Sequence, residues 1–201
     1  LLPFDDGETV LSPVHLNGAA TAIDKNFLTN AIIRSGYDNL RIDDPLLTRA
    51  KGLHPAQEIC AACWLIPRRI IEKIGGFNPL FFHYSEDVNY QYRLFYHHMR
   101  IAWAGGTHVC HDREFRKRQP ATYIRVRQEL VLRASNINVS PLKATLQEIR
   151  YGIGVLHTAL AYREWRSIAY FWKAYFYMLT HMTKAINDSR NIEKKQGENW
   201  L

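Results

Sequence analysis

Apolar and polar positions follow two different rhythms along this chain: short apolar runs broken by Pro and Gly up to about residue 112, then helix-spaced apolar positions. Residues 8–14, from Glu8 to Val14, read as a short strand ended by Ser12-Pro13, because proline removes a ladder donor and restricts its neighbour. Such a strand belongs at a sheet edge. Ile23, Phe27, Ala31 and Ile32 then recur at helical spacing ahead of Ser35-Gly36, which predicts a helix over 21–35. Residues 37–57, rich in Asp, Pro and Gly, read as a long surface loop, either a binding element or a plain excursion.

From Glu58 the run EICAACWLIP is nearly continuous in apolar residues and has the length of a buried strand. Pro67 suits a first helical turn, Ile70, Ile71 and Ile74 give that helix a buried side, and Gly75 ends it. After the Asn78-Pro79 turn, Ser85 stands where an N-cap belongs. A helix from about Glu86 to His98 follows, with Val88, Tyr92 and Phe95 on one face. Arg100 to Ala104 and Thr107 to His111 read as two short strands around Gly105-Gly106. Beyond Arg113 the pattern is helical, with starts near Pro120, Pro141 and Glu164 and with Leu142, Leu146, Ile149 and Ile153 at helical spacing. The expected organisation is an α/β segment over 1–115 and an all-helical C-terminal extension over 116–201, with a polar tail from about 187. Their boundary lies near 112–120, where EFRKRQP combines charge with proline.

Composition sharpens this picture in three ways. At 201 residues with 47% apolar content, the chain can bury a full core. Three cysteines without regular spacing argue against a disulfide framework and for a reducing, cytosolic compartment. The net charge of +7 is uneven: residues 1–112 carry 10 basic and 12 acidic side chains (net −2), residues 113–201 carry 16 and 7 (net +9). A positive field of that kind suits a polyanionic partner, or is simply a solvated basic helix face. No apolar run reaches the roughly 18 residues of a spanning helix, because Arg163, Glu164, Arg166 and Lys173 interrupt the most aromatic stretch.

The chemistry-bearing residues are few. Glu86 and Asp87 are adjacent at a helix start, so their side chains diverge by about 100° and should have different roles. The same pair also complements a helix N-terminal dipole. His111 closes a strand, where it can be structural or can ligate a metal. Cys60-x-x-Cys63 and Cys110-His111 do not make a zinc site if their strands are regular, since residues one or three apart on a strand point to opposite faces; buried packing is the expected role.

Residues 75–112, GGFNPLFFHYSEDVNYQYRLFYHHMRIAWAGGTHVCHD, resemble the second half of the catalytic domain of a family 2 glycosyltransferase, an inverting enzyme of the GT-A type. The resemblance covers residues 8–112 well and the helical remainder loosely. It implies a nucleotide-diphospho-sugar transferase-like sheet with helices, here truncated. Asp87 would be the catalytic base, Glu86 its supporting neighbour, and His111 a metal or diphosphate contact beside an Mg²⁺ or Mn²⁺ ion. Ala61, Ala62 and Trp64 would line the acceptor side of the cleft, with Trp64 able to stack on a sugar or to pack in the core. The chain departs from the family in having no Asp-x-Asp. The nucleotide-sugar donor would therefore bind through a missing half, and the isolated chain would be inactive although its parent transfers sugar to a polysaccharide or glycolipid acceptor.

The stretch EWRSIAYFWKAYFYMLTHMTKAI interleaves aromatic with cationic residues, as interfacial helices do, and equally suits packing on the domain. Nucleic acid is not expected as a partner, because no helix-turn-helix, zinc-finger or RNA-binding signature accompanies the charge. The expected location is cytoplasmic, with peripheral contact at the inner face of a membrane. A non-catalytic module that binds a membrane surface or a partner through these helices is the alternative function.

Overall fold

The computed structural model describes residues 1–49, 52–112 and 122–197. These residues form two compact units: 1–75 with 97–112, and 76–96 with 122–197. The expected boundary at 112–120 and the helix start near Pro120 lie largely outside the described residues.

The first unit is built on a three-stranded mixed sheet. Strand β1 (Thr9–Asn17) pairs in parallel with the long strand that follows the crossover, Arg100–His111, and the short strand β2 (Leu53–Pro55) pairs with the other edge of that strand antiparallel. With Arg100–His111 as β3, the order is β1-β3-β2. β1 is an edge strand as expected, but Pro13 does not end it. The missing proline N–H is absorbed by an irregularity: Pro13 is opposite Ala104, and the next residue, Val14, is opposite His108. Gly105, Gly106 and Thr107 are therefore looped out of register, with Gly106 at φ 72°. The two strands expected around this glycine pair are one strand carrying a bulge.

Helical segments after β1 differ in length from their prediction. Asp24 accepts hydrogen bonds from the backbone N–H groups of Asn26 and Phe27, starting helix α1 (Lys25–Phe27). The turns continue through Leu28–Ile32 and Ile33–Ser35 to Gly36 at φ 86°, which ends the segment where Ser35-Gly36 predicted. Inside the expected 37–57 loop, Asp44 caps a short helix, α2 (Pro45–Thr48), and β2 follows. The core of this unit gathers Val10, Leu11, Phe27, Ile32, Ile101 and Trp103. Trp103, fully buried, stacks on His54 at 4.0 Å between ring centroids and meets Tyr37 edge-on at 5.4 Å.

The expected buried strand at EICAACWLIP does not form. Ile59 is buried, but Ala61 and Ala62 sit on an exposed turn closed by the Ala62 N–H donating to the Cys60 carbonyl at 2.9 Å. Only Leu65 reaches the sheet, in an isolated bridge to Leu11. An apolar run of small residues fits a strand or a turn equally by hydropathy, and the β1 edge offers just one pairing site here. Cys60 and Cys63 are half-buried and Cys110 is exposed, so the expected buried packing of cysteine does not hold. Helix α3 (Arg68–Ile74) follows Pro67 as predicted, with Ile70 and Ile74 buried and Gly75 at φ 77° ending it.

The second unit is helical. Helix α4 (Glu86–Tyr96) is followed by α5 (Tyr123–Ser135), α6 (Pro141–Tyr162), α7 (Trp165–Tyr177), a wide turn over Met178–Met182, and α8 (Thr183–Glu193). Thr122 and Ser140 cap α5 and α6 by accepting from the N–H groups of Arg125 and Lys143. The apolar core comprises Phe81, Val126, Leu130, Phe171, Met178 and Ile186 with their neighbours. Gly152 lets α6 approach α7 closely, since a Cβ there would lie 2.7 Å from the Phe171 ring.

Two features of this unit go beyond the apolar periodicity. The buried side of α4 is Asn89, Tyr90, Gln91, Arg93 and Leu94, whereas Val88 and Tyr92 are half-buried and Phe95 is exposed. The polar tail is also helical through Glu193, and it buries Ser189, Arg190 and Glu193. The two departures share a cause: Asn78 and Asn89 both donate to the Glu193 carboxylate, so a polar helix face finds a polar partner.

Candidate functional site

The acid pair occupies the first turn of α4, behind a strained approach. Tyr84 and Ser85 sit at φ 69° and 68°, conformations that cost non-glycine residues of order 1–3 kcal/mol each and that cluster at functional sites. Ser85 therefore lacks the extended conformation of an ordinary N-cap. Its carbonyl nevertheless accepts from the Asn89 N–H at 2.9 Å. Asp87 turns one carboxylate oxygen back to its neighbour's backbone, accepting from the Val88 N–H at 2.8 Å. One carboxylate oxygen of Glu86, Oε2, is buried with no hydrogen-bond partner among the described residues. A buried acceptor left without a donor costs about 1–3 kcal/mol and calls for an explanation in function or a bound group. The Arg125 guanidinium lies over the Tyr84 ring at 5.7 Å, bringing a cation to the turn that precedes the acids. Sequence reading missed Arg125 because some 40 residues separate it from that turn.

His111 belongs to the other unit, as do Ala61, Ala62 and Trp64, so the predicted site residues divide between the two. At the end of β3, His111 Nδ1 is 4.0 Å from an Asp24 carboxylate oxygen. Its ring meets that of the fully buried His15 edge-on at 6.1 Å. His15 Nε2 is within 3.1 Å of Ser12 Oγ. Parallel pairing explains the grouping: Asn17 is opposite His111 and His15 opposite Val109, so the C-terminal ends of β1 and β3 coincide. Ligands of open α/β sheets gather at such ends. Asp112 follows immediately, close enough to Gly18 that a Cβ there would lie 2.6 Å from its carboxylate. Asp24 carried one local signal, its position before a helical pattern, and His15 carried none.

Asp24 caps the N-terminus of α1 with Oδ1 and turns Oδ2 toward His111, and among the described residues no three His, Cys, Asp or Glu side chains group so as to hold an ion. Ala61 and Ala62 are exposed and Trp64 half-buried, on the turn that replaces the predicted strand. Compared with family models, with curated proteins and with solved structures, the chain matches none.

Proposed function

We propose that this chain is the acceptor-side part of an inverting glycosyltransferase that moves a sugar from a nucleotide-diphospho-sugar to a polysaccharide or glycolipid. The observation that carries the reading is the setting of Glu86-Asp87: two consecutive left-handed residues lead into an acid pair of which one buried oxygen has no hydrogen-bond partner. A turn held at that cost fixes where the carboxylates point. In this reading Asp87 accepts the proton of the acceptor hydroxyl as that oxygen attacks the anomeric carbon and the C–O bond to the nucleoside diphosphate breaks. Glu86 is its supporting neighbour, binding the acceptor or orienting the groups around it. No Asp-x-Asp is present in the sequence, so in this reading the donor diphosphate is held by other groups.

The test offers the protein a panel of uridine, guanosine and thymidine diphospho-sugars and follows release of the nucleoside diphosphate. Asp87→Asn should lower turnover by about 10²–10⁴-fold, the usual contribution of a positioned base. Glu86→Gln should act mainly by weakening acceptor binding. Retention of wild-type turnover by Asp87→Asn would remove Asp87 from the mechanism.

A further inference from the structure

Helix α6 carries its longest apolar side chains outward. Leu142, Leu146, Ile149, Ile153, Leu156 and Leu160 are all exposed, Leu142 by 73% and Ile153 by 63%. Their spacing alternates four and three residues, which keeps them in one stripe about 80° wide. In place of these, α6 buries Ala144, Glu148 and Ala159. Helix α7 repeats the arrangement with exposed Trp165, Trp172 and Phe176 in a second stripe, the last two with ring centroids 5.9 Å apart. Between the stripes runs an apolar groove of about 300 Å³, walled by Ile149, Ile153 and Leu156 on one side and Ile168, Trp172 and Tyr175 on the other. The two stripes and the groove thus form one apolar face.

Cations border that face on both sides. On α6, Lys143 and Arg150 lie about 80–100° from the stripe, on the flank away from the groove. On α7, Arg166 and Lys173 lie about 80–100° from the stripe, again away from the groove, with Lys173 also over the Tyr123 ring at 5.0 Å. The carboxylate that lines the groove, Glu148, is buried. An apolar centre with aromatic side chains and two basic rims is the chemistry of a surface that sinks about 5–10 Å into a bilayer whose headgroups are acidic. A second copy laid on the same face would bring basic rims against basic rims, which charge repulsion opposes. No helix among the described residues is long and apolar enough to cross the bilayer, so the contact is with its surface.

We infer that the α6–α7 face docks on an anionic lipid bilayer, with Ile153 and Trp172 in the acyl boundary and the two basic rows at the phosphates. Docking does not depend on the glycosyltransferase reading, and Asp87→Asn leaves it unchanged. The test is co-sedimentation of the 201-residue chain with vesicles of phosphatidylcholine alone and with 30% phosphatidylglycerol, at 50 and 500 mM NaCl. Binding to the anionic vesicles at low salt should exceed binding to the neutral ones at least tenfold and should fall at high salt. Ile153→Glu and Trp172→Ala, both at exposed positions and checked for unchanged helicity, should each weaken it at least fivefold. Arg150→Glu with Lys173→Glu should remove the salt dependence. Equal binding to both vesicle types, no binding to either, or full binding by Ile153→Glu overturns the proposal. A dimer in solution that Ile153→Glu converts to monomer assigns the face to a second copy instead and also overturns it.

Discussion

Glu193 illustrates how a single polar residue can organise a helical core. It is 1% exposed and accepts from Asn89 Nδ2 at 3.0 Å and from Asn78, while the fully buried Arg93 supplies positive charge. Arg93 itself donates to the Gly76 carbonyl at 2.6 Å and lies 5.1 Å from the Tyr90 ring centroid. Removing one member of such a group leaves the others buried and unpaired, which costs more than the group contributes in net stability. Glu193→Leu should therefore destabilise the fold by about 3–5 kcal/mol in urea melts. A loss under about 1 kcal/mol would mean that water or rearrangement satisfies Asn78, Asn89 and Arg93. None of this was legible from residues 187–201, which read as a polar tail. Hydropathy cannot distinguish a polar residue facing solvent from one facing a buried carboxylate 100 residues away.

At the scale of elements, the bulge in β3 is the feature on which the first unit turns. Gly105 and Gly106 were legible as a break, but the sequence suggested two strands rather than one strand out of register. The reason lies in packing: α2 crosses β3 so closely that a Cβ on Gly105 would collide with the Leu46 carbonyl and lie 3.0 Å from that of Arg49. Backbone cannot move aside as a flexible side chain can. Gly105→Ala should cost about 1–3 kcal/mol through overpacking, read as a shift in denaturation midpoint. Unchanged stability would show that the 45–49 segment can lift away. The start of α6 at Pro141 was legible because capping and proline chemistry are local, whereas α7 starts after Glu164 with no side-chain cap. The loss of the strand at EICAACWLIP was not, because strand formation needs a partner edge that no local signal specifies.

At the scale of the whole molecule, buried acids and a half-buried histidine shift the pH dependence of stability in opposite directions. Burial raises the pKa of Glu193 and of Glu148 above the ordinary 4.5. Their folded forms hold protons more tightly than the unfolded chain, so stability from these groups falls as pH rises from 4.5 through their folded values. Burial lowers the pKa of His54 below 6.5, so its contribution rises with pH up to 6.5. Comparing wild type with Glu193→Gln isolates one sign: the variant should gain relative to wild type as pH increases above 4.5, measured by urea melts at several pH values. A difference that does not vary with pH would show that Glu193 titrates alike in the folded and unfolded chain. Charge patterning sets the other molecule-wide property, since the excess of cations after residue 113 includes the rims of the α6–α7 face.

By itself the sequence determined helix starts, the glycine breaks, the edge position of β1, the acid pair at the head of α4 and the basic, aromatic character of the C-terminal helices. These follow from local rules of backbone conformation, capping and charge. Tertiary structure alone decided that α4 and α8 meet through polar faces, that His15 and Asp24 join His111 at the strand ends, and that the longest apolar stripe of α6 faces outward. Periodicity says that a helix has two faces. Which face is covered depends on partners distant in sequence, and for α6 the close contact with α7 falls on Gly152, leaving its leucines and isoleucines exposed.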